Sequence, residues 1–362
     1  MMVLISNISS RTPAVPNLPV VDPAVWSAND LDSDRSWIYP ISKDHVHELV
    51  RTVARLKAAD IDLTSITPSL YKMSTLSPYL WQIKEEILEG RGIALIRGVP
   101  VQDFDRAEAA IAFWVIGQHI GVPVSQNAKG HLLGHVADLG GKTLENPSHR
   151  GYQTRESLPY HCDSCDIVSL LCLHPSKSGG ESLVASSLSI YNEILNRAPE
   201  LAAELSKPIY RDRRNEIPKG KDPWFLLPVF NFRDGFLSVS WQGGYILSAQ
   251  RFPSLPRHSP KLIAAIKLFN KLAHELSYAM DFRRGDIQFL HNHVTVHSRT
   301  EFEDYPEIYR RRNLLRLWLS TPDGRPLSKS YFNRYGHLEK GSRPSGGVVV
   351  SNKKFSTPLF PE

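Results

Sequence analysis

Beyond about residue 150 the chain is written in short apolar runs, at 159–173, 181–186, 227–241, 286–297 and 313–320, and only two longer amphipathic segments, 188–206 and 260–280, interrupt them. Such runs read as strands, and strands that do not alternate regularly with helices argue against a doubly wound parallel sheet. They predict an α+β, mainly β chain, a sandwich or jelly roll with N-terminal and inserted helices. In the first third, Ser42 offers an N-cap and Val46, Leu49, Val50, Val53 and Leu56 follow at helical spacing, which predicts a helix over 43–58. Further helices are expected over 76–89 and 105–120, the latter stopped by Gly121 and Pro123, with a buried strand at 92–98 between them. The 260–280 segment has Ser259 as cap, Pro260 in the first turn and a stripe of Leu262, Ile263, Ile266, Phe269, Leu272 and Leu276.

Pro13, Pro16, Pro19 and Pro23 lie among polar residues, so residues 1–36 are expected to form an extended arm. No Gly/Ser-rich or charged linker and no internal repeat follows, which makes 37–340 one domain and leaves 341–362 as a tail, either a lid over the site or disordered.

Composition narrows the partners. The 43 basic residues exceed the 37 acidic ones by a charge of +6 that is spread along the chain, without the aromatic-interleaved basic repeats of a nucleic-acid binder. The basic patches at 211–214 and 310–312 fit a solvated face or a small anion better than a duplex. Apolar runs such as 109–117 and 167–173 fall far short of the roughly 18 residues of a membrane span. The first seven residues lack a basic n-region and an apolar core, and the three cysteines, Cys162, Cys165 and Cys172, cannot build a disulfide framework, so a reducing, cytoplasmic setting is expected.

The chemistry concentrates in Pro159-Tyr160-His161-Cys162-Asp163-Ser164-Cys165-Asp166. If this is a strand, His161 and Asp163 share a face and Cys162 points away. Two histidines and one carboxylate make the facial triad of non-haem Fe(II), and a third ligand is available at His291, His293 or His297, which strand parity does not separate. In Arg312-Asn313-Leu314-Leu315-Arg316-Leu317-Trp318, Arg316 is a cation planted in an apolar strand. It needs either a salt bridge or a ligand carboxylate. A Cys3His zinc site at Cys162, Cys165, Cys172 and His161 is disfavoured because these residues converge poorly from one strand, and a redox Cys-x-x-Cys belongs at a helix start. The cysteines are read as buried free thiols.

Taken together, these features resemble the TauD/TfdA family of Fe(II)/2-oxoglutarate-dependent oxygenases over roughly residues 37–336. The resemblance runs through Gly90-Arg91-Gly92 to Pro100, Gln126-Asn127, His161-Cys162-Asp163, Gly179-Gly180-Glu181-Ser182, Pro228-Val229-Phe230, Gly285-Asp286 to His297-Ser298-Arg299 and Arg312 to Ser320. It implies a double-stranded β-helix, with iron ligands His161, Asp163 and His297, and with His291 and His293 outside the metal. It further implies Arg316 on the distal carboxylate of 2-oxoglutarate, with Arg312 and Ser182 beside it. The implied reaction uses Fe(II), 2-oxoglutarate and O2, releases succinate and CO2, and oxidises a C–H bond of a small polar metabolite (an amino acid or carboxylate) by hydroxylation, desaturation or ring closure, with a place in secondary metabolism expected. Gln126, Asn127, Tyr160 and Arg299 are the candidate substrate contacts. Where relatives would carry a more basic stretch, the chain reads Trp241-Gln242-Gly243-Gly244, so its substrate preference is expected to differ. A homo-oligomer is compatible with the sequence. The competing readings are a non-catalytic jelly-roll binding protein, which has no need of His161, Asp163, His297 and Arg316 together, and an oxygenase acting on a macromolecule.

Overall fold

The computed structural model describes residues 11–143, 150–337, 342–348 and 354–361. The predicted helices fall into place as Lys43–Ala58, capped by Ser42, Leu76–Glu89, and Arg106–Ile120, capped by Asp105. They cover one face of a seven-stranded sheet. Its order is Ile38–Pro40, Ile93–Arg97, Ile287–His291, Ile167–His174, Asn313–Ser320 and Val122–Pro123, and Leu133–Val136 also pairs with Asn313–Ser320. A four-stranded sheet lies opposite, ordered Tyr278–Met280, Ser182–Ser186, Thr295–Arg299 and Leu158–His161.

Three apolar layers follow from this. Ile83, Ile87, Phe113 and Val115 pack the N-terminal helices on Leu171 and Leu317 of the large sheet. Ile93, Leu95, Val168, Leu290 and Trp318 meet Val184 and Met280 between the sheets. On the outer face of the small sheet, the inserted helices Ser187–Arg197 and Pro260–Glu275 bury Ile190, Ile194, Phe269 and Leu272, with Trp241 stacked on Phe269 at 3.8 Å between centroids. Truncating Phe269 would cost about 3–5 kcal/mol.

Several expectations change in detail. The 159–173 run is two strands, Leu158–His161 and Ile167–His174, in different sheets; the polar Asp163, Ser164 and Asp166 lie in the crossing between them, so parity does not govern Asp163. The 286–297 run likewise divides into Ile287–His291 and Thr295–Arg299, one in each sheet. The 227–241 run becomes the hairpin Phe230–Arg233 with Phe236–Val239, turned at Asp234-Gly235. The 188–206 segment breaks at Ala198-Pro199 into two helices, since proline cannot continue the first, and 260–280 ends its helix at Glu275. The described part of the arm is extended apart from turns at 16–18 and 23–24 and the helix Ala28–Ser33. No helix among the described residues is long and apolar enough to cross a membrane.

Candidate active site

His161 ends its strand directly opposite His297 on the neighbouring antiparallel strand, and the two imidazole centroids are 4.3 Å apart. Asp163, two residues on, turns its Oδ1 to 3.9 Å from His161 Nε2. One ligand atom from each of His161, Asp163 and His297 falls within 4.8 Å of the others, and no other such group of His, Cys, Asp or Glu occurs among the described residues. The His161 Nδ1 is engaged by the Pro159 carbonyl at 2.8 Å, which turns Nε2 toward the carboxylate. His297 Nδ1 is shielded and has no hydrogen-bond partner among the described residues. Burial, then the neighbouring His161, holds this imidazole down to about 3, a neutral ring able to donate a lone pair. Burial alone would raise the Asp163 carboxyl, but Arg316, His297, His161 and the Trp318 indole outweigh it and keep the group ionised. Two imidazoles and a carboxylate on one side of a point fit a divalent iron with open positions.

The loop carrying Asp163 is tied from four sides. Asn292 accepts the Asp163 N–H at 3.0 Å, and Trp318 Nε1 donates to Oδ2 at 2.9 Å. Gln242 donates to the Cys162 carbonyl at 3.0 Å, and its strand neighbour Trp241 accepts the Cys162 N–H at 2.7 Å. Gly347, from the C-terminal segment, donates to the Ser164 carbonyl at 2.7 Å. Asp166 is fully buried and accepts from Arg343 at 2.8 and 2.9 Å, from the Thr321 N–H at 2.8 Å, and bonds His293 Nε2 at 2.8 Å. His293 therefore braces the loop from behind, and His291 is buried in the large sheet away from the triad. All three cysteines are buried and free; Cys162 points into the helix-covered core, where burial raises its thiol to about 12.

Two cavities meet at the triad. The inner one is lined by His161, Asp163 and His297 together with Ser182, Arg299 and Arg312. Arg299 lies across the ladder from Ser182, and the Arg299 and Arg312 guanidiniums both pack on the Phe302 ring, at 4.8 and 5.1 Å. Left-handed glycines at 179 and 180 allow this approach, because a Cβ on Gly180 would sit 3.2 Å from Arg312 Nε. Arg299 Nη2 donates to the Glu156 carbonyl, while Arg299 Nε and Nη1 and Arg312 Nη1 are buried without partners among the described residues. Burial, and for Arg299 the nearby Arg312, pulls these groups down to about 9 and about 10. Ser182 shares hydrogen bonds with Gln288 at 3.1 and 3.0 Å.

The outer chamber, ≈ 330 Å³, is lined on one side by His161, Asp163 and Trp318 and on the other by Arg150, Arg214, Glu216 and Arg334. Arg316 borders both cavities; its Nε donates to Gln126 Oε1 at 2.7 Å and its Nη1 is 3.8 Å from Asp163 Oδ2. Gln126 uses its amide to hold Arg316 and the Leu132 carbonyl. Asn127 belongs to an adjoining outer pocket, where it accepts the Lys129 N–H, and Tyr160 lines the chamber itself. Arg299, expected on the substrate side, lies on the inner side. The Arg211 to Arg214 patch is not a solvated face: Arg211 and Arg213 are buried and only Arg214 reaches the chamber. Sequence reasoning passed over Arg150, Glu216, Arg334 and Arg343, whose only signal was charge in loop-like text.

Residues 62–318 match the family described as Taurine catabolism dioxygenase TauD, TfdA family. The chain belongs to that family and is a non-haem iron dioxygenase dependent on Fe(II), 2-oxoglutarate and O2. Among curated proteins it is similar to the FR-33289 synthase of Streptomyces rubellomurinus, 29% identical over 90% of this chain and 98% of that one. It is also similar to the taurine hydroxylase-like protein SAT17 of Stachybotrys chartarum, 29% identical over 82% of this chain and 78% of that one. In fold it is similar to the non-heme iron oxygenase OrfP solved with Fe and alpha-ketoglutaric acid, with TM-score 0.61 and 16% identity over 78% of this chain and 93% of that one. Asparagine oxygenase solved with Fe(II), hydroxyasparagine and succinate gives TM-score 0.59 and 15% identity over the same shares, 78% and 93%.

Proposed function

We propose that His161, Asp163 and His297 hold the iron, and that Ser182, Arg299 and Arg312 receive the far carboxylate of 2-oxoglutarate. The observation that carries this is the pair of buried guanidiniums on Phe302 with N–H groups unpartnered among the described residues, since a buried cation is tolerable only when an anion meets it. Arg316 has its Nε bonded to Gln126 and stands beside a metal-binding carboxylate, so we read it as the bridge between co-substrate and substrate sides, with Arg312 as the chief carboxylate partner. Iron held there would activate O2, the oxidant, and so couple decarboxylation of 2-oxoglutarate to oxidation of a substrate C–H bond. The chain's own part is to hold that substrate in the chamber beside His161 and Asp163 and to keep water away with Tyr152, Trp318 and Tyr245.

The substrate is a small polar metabolite of amino acid or carboxylate type, oxidised by hydroxylation, desaturation or ring closure. The chamber's size and the charged side chains on its walls support this, as do neighbours solved with hydroxyasparagine and with hydroxyarginine. The names of the curated relatives, a synthase and a hydroxylase-like protein, support a place in secondary metabolism. We read 37–340 as the oxygenase domain, with the arm before it and the tail after it; the tail's contacts with Ser164 and His135 support its closing against the site. Three free buried thiols support a cytoplasmic setting.

Anaerobic titration with Fe(II) and 2-oxoglutarate tests the assignment. The visible charge-transfer band of a chelated 2-oxo acid should appear with the wild type and vanish with Asp163→Ala; a band of full strength in that variant would refute the ligand set.

A further inference from the structure

Resting on the reading of His161, Asp163 and His297 as iron ligands, we propose that Trp318 is a positioning residue for the metal centre. Its indole N–H occupies one oxygen of Asp163, so that the carboxylate offers the metal a single oxygen.

The need for such a residue follows from where Asp163 lies. It stands outside either strand, in the crossing between Leu158–His161 and Ile167–His174, where sheet pairing does not orient a side chain. A carboxylate can bind a metal through one oxygen or through both. Beside two imidazoles, an Asp163 bound through both oxygens would fill a position that the chelating 2-oxo acid or O2 requires.

Trp318, by contrast, belongs to the strand Asn313–Ser320 in the interior of the large sheet. It pairs with Val168 on the neighbouring strand, and its carbonyl accepts the Val124 N–H at 2.8 Å. Alternation along the strand sends Leu315, Leu317 and Leu319 under the N-terminal helices and turns Trp318 between the sheets, where it is buried. From there Nε1 donates to Asp163 Oδ2 at 2.9 Å, and Oδ1 is the oxygen turned to His161, 3.9 Å from its Nε2. A donor on a committed strand thereby selects which oxygen of a loop carboxylate is held back.

Two neighbouring contacts act in the same sense. The Arg316 guanidinium lies between the Trp318 and Tyr152 rings, at 5.1 and 4.6 Å, and its Nη1 is 3.8 Å from the same Oδ2. An N–H and a positive charge thus converge on Oδ2 rather than Oδ1. Asn292 accepts the Asp163 N–H at 3.0 Å and fixes the backbone, which leaves the side-chain torsions as the freedom for Trp318 to remove.

The test compares the wild-type chain with Trp318→Phe and with benzothienylalanine placed at position 318, which exchanges the indole N–H for sulfur at nearly the same shape. The second protein removes the donor with the least disturbance of packing and keeps the test decisive if the first fails to fold. Mn(II) is added alone in water carrying the magnetic oxygen isotope, and broadening of its electron paramagnetic resonance lines counts the waters on the metal. Each altered protein should hold one water fewer than the wild type, because the released Oδ2 takes its place. Fe(II) affinity should move less than about threefold, while the dissociation constant for 2-oxoglutarate, read anaerobically from its visible band, rises about tenfold because the chelate must displace that oxygen. An unchanged water count in the sulfur-containing protein would overturn the proposal. So would parallel losses of iron and 2-oxoglutarate affinity, the mark of a tryptophan that only supports the fold. A wild-type chain that binds neither Mn(II) nor Fe(II) would instead overturn the reading of the metal centre.

Discussion

The two cavities that meet at the proposed metal triad of His161, Asp163 and His297 both carry arginine side chains, yet they are built from different parts of the chain. The inner one rests on paired strands: Ser182 and Arg299 face each other across a ladder, and Arg312 stands just before the strand Asn313–Ser320. The outer one rests on loops and on the chain's later segments, with Arg150 before the first strand of the small sheet, Arg214 and Glu216 after Tyr210–Asp212, and Arg334 near the end. The cavity proposed for the co-substrate, which a whole family shares, is the one locked into a ladder. A pocket for one chain's own substrate is more freely varied where backbone is not committed to sheet pairing.

The sharpest break in this comparison comes at the junction itself. Asp163→Ala should bring iron-dependent 2-oxoglutarate turnover to background with circular dichroism unchanged, and retained succinate release would undo both cavities' roles at once. Next in size, Arg312→Gln should raise the dissociation constant for 2-oxoglutarate about 100-fold, the cost of leaving a buried carboxylate without its partner. Measured beside it, Arg316→Gln should show the smaller effect; the reverse order would return the distal carboxylate to Arg316, as the family resemblance implies.

Arg343→Ala removes the clamp on Asp166 without touching either cavity. Iron affinity should fall about 10- to 100-fold, as for other groups that orient ligands from behind, and Arg343→Lys should recover part of it. Unchanged iron binding would make the C-terminal segment a passive cover.

The smallest effect is acid sensitivity of the metal-free protein. Burial keeps His297 at about 3 and His291 well below the ordinary histidine range. The unfolded chain takes up these protons below about pH 6.5 while the folded one does not, so stability is full above that value and declines as pH falls toward the folded values. The melting temperature should drop steadily from about pH 7 to about pH 5, and saturating Fe(II) should raise it across that range. A flat profile would contradict neutral burial of the two imidazoles.

Much of the fold was legible because its signals are local. Ser42 and Ser259 cap the helices expected of them; in the expected stripes Leu49, Val53 and Leu56, and Leu262, Ile266, Phe269 and Leu272, are buried, whereas Val50 is exposed. Run lengths were less reliable, since a continuous apolar text conceals a change of sheet: His291 and His297 share parity in sequence but sit in different sheets. The same break explains why periodicity could not choose among the three histidines.

By itself, the sequence determined the mainly β class, the helices that cover it, and the short list of groups capable of holding iron, because spacing and side-chain chemistry are properties of neighbouring residues. Tertiary structure alone decided which groups meet. It set His297 against His161 across 136 residues, turned His293 into a brace for Asp166, drew Arg343 back to that same carboxylate, and gathered Arg150, Glu216 and Arg334 from three loops. Long-range strand register and the pairing of buried charge depend on packing across the whole domain, and no local pattern encodes them.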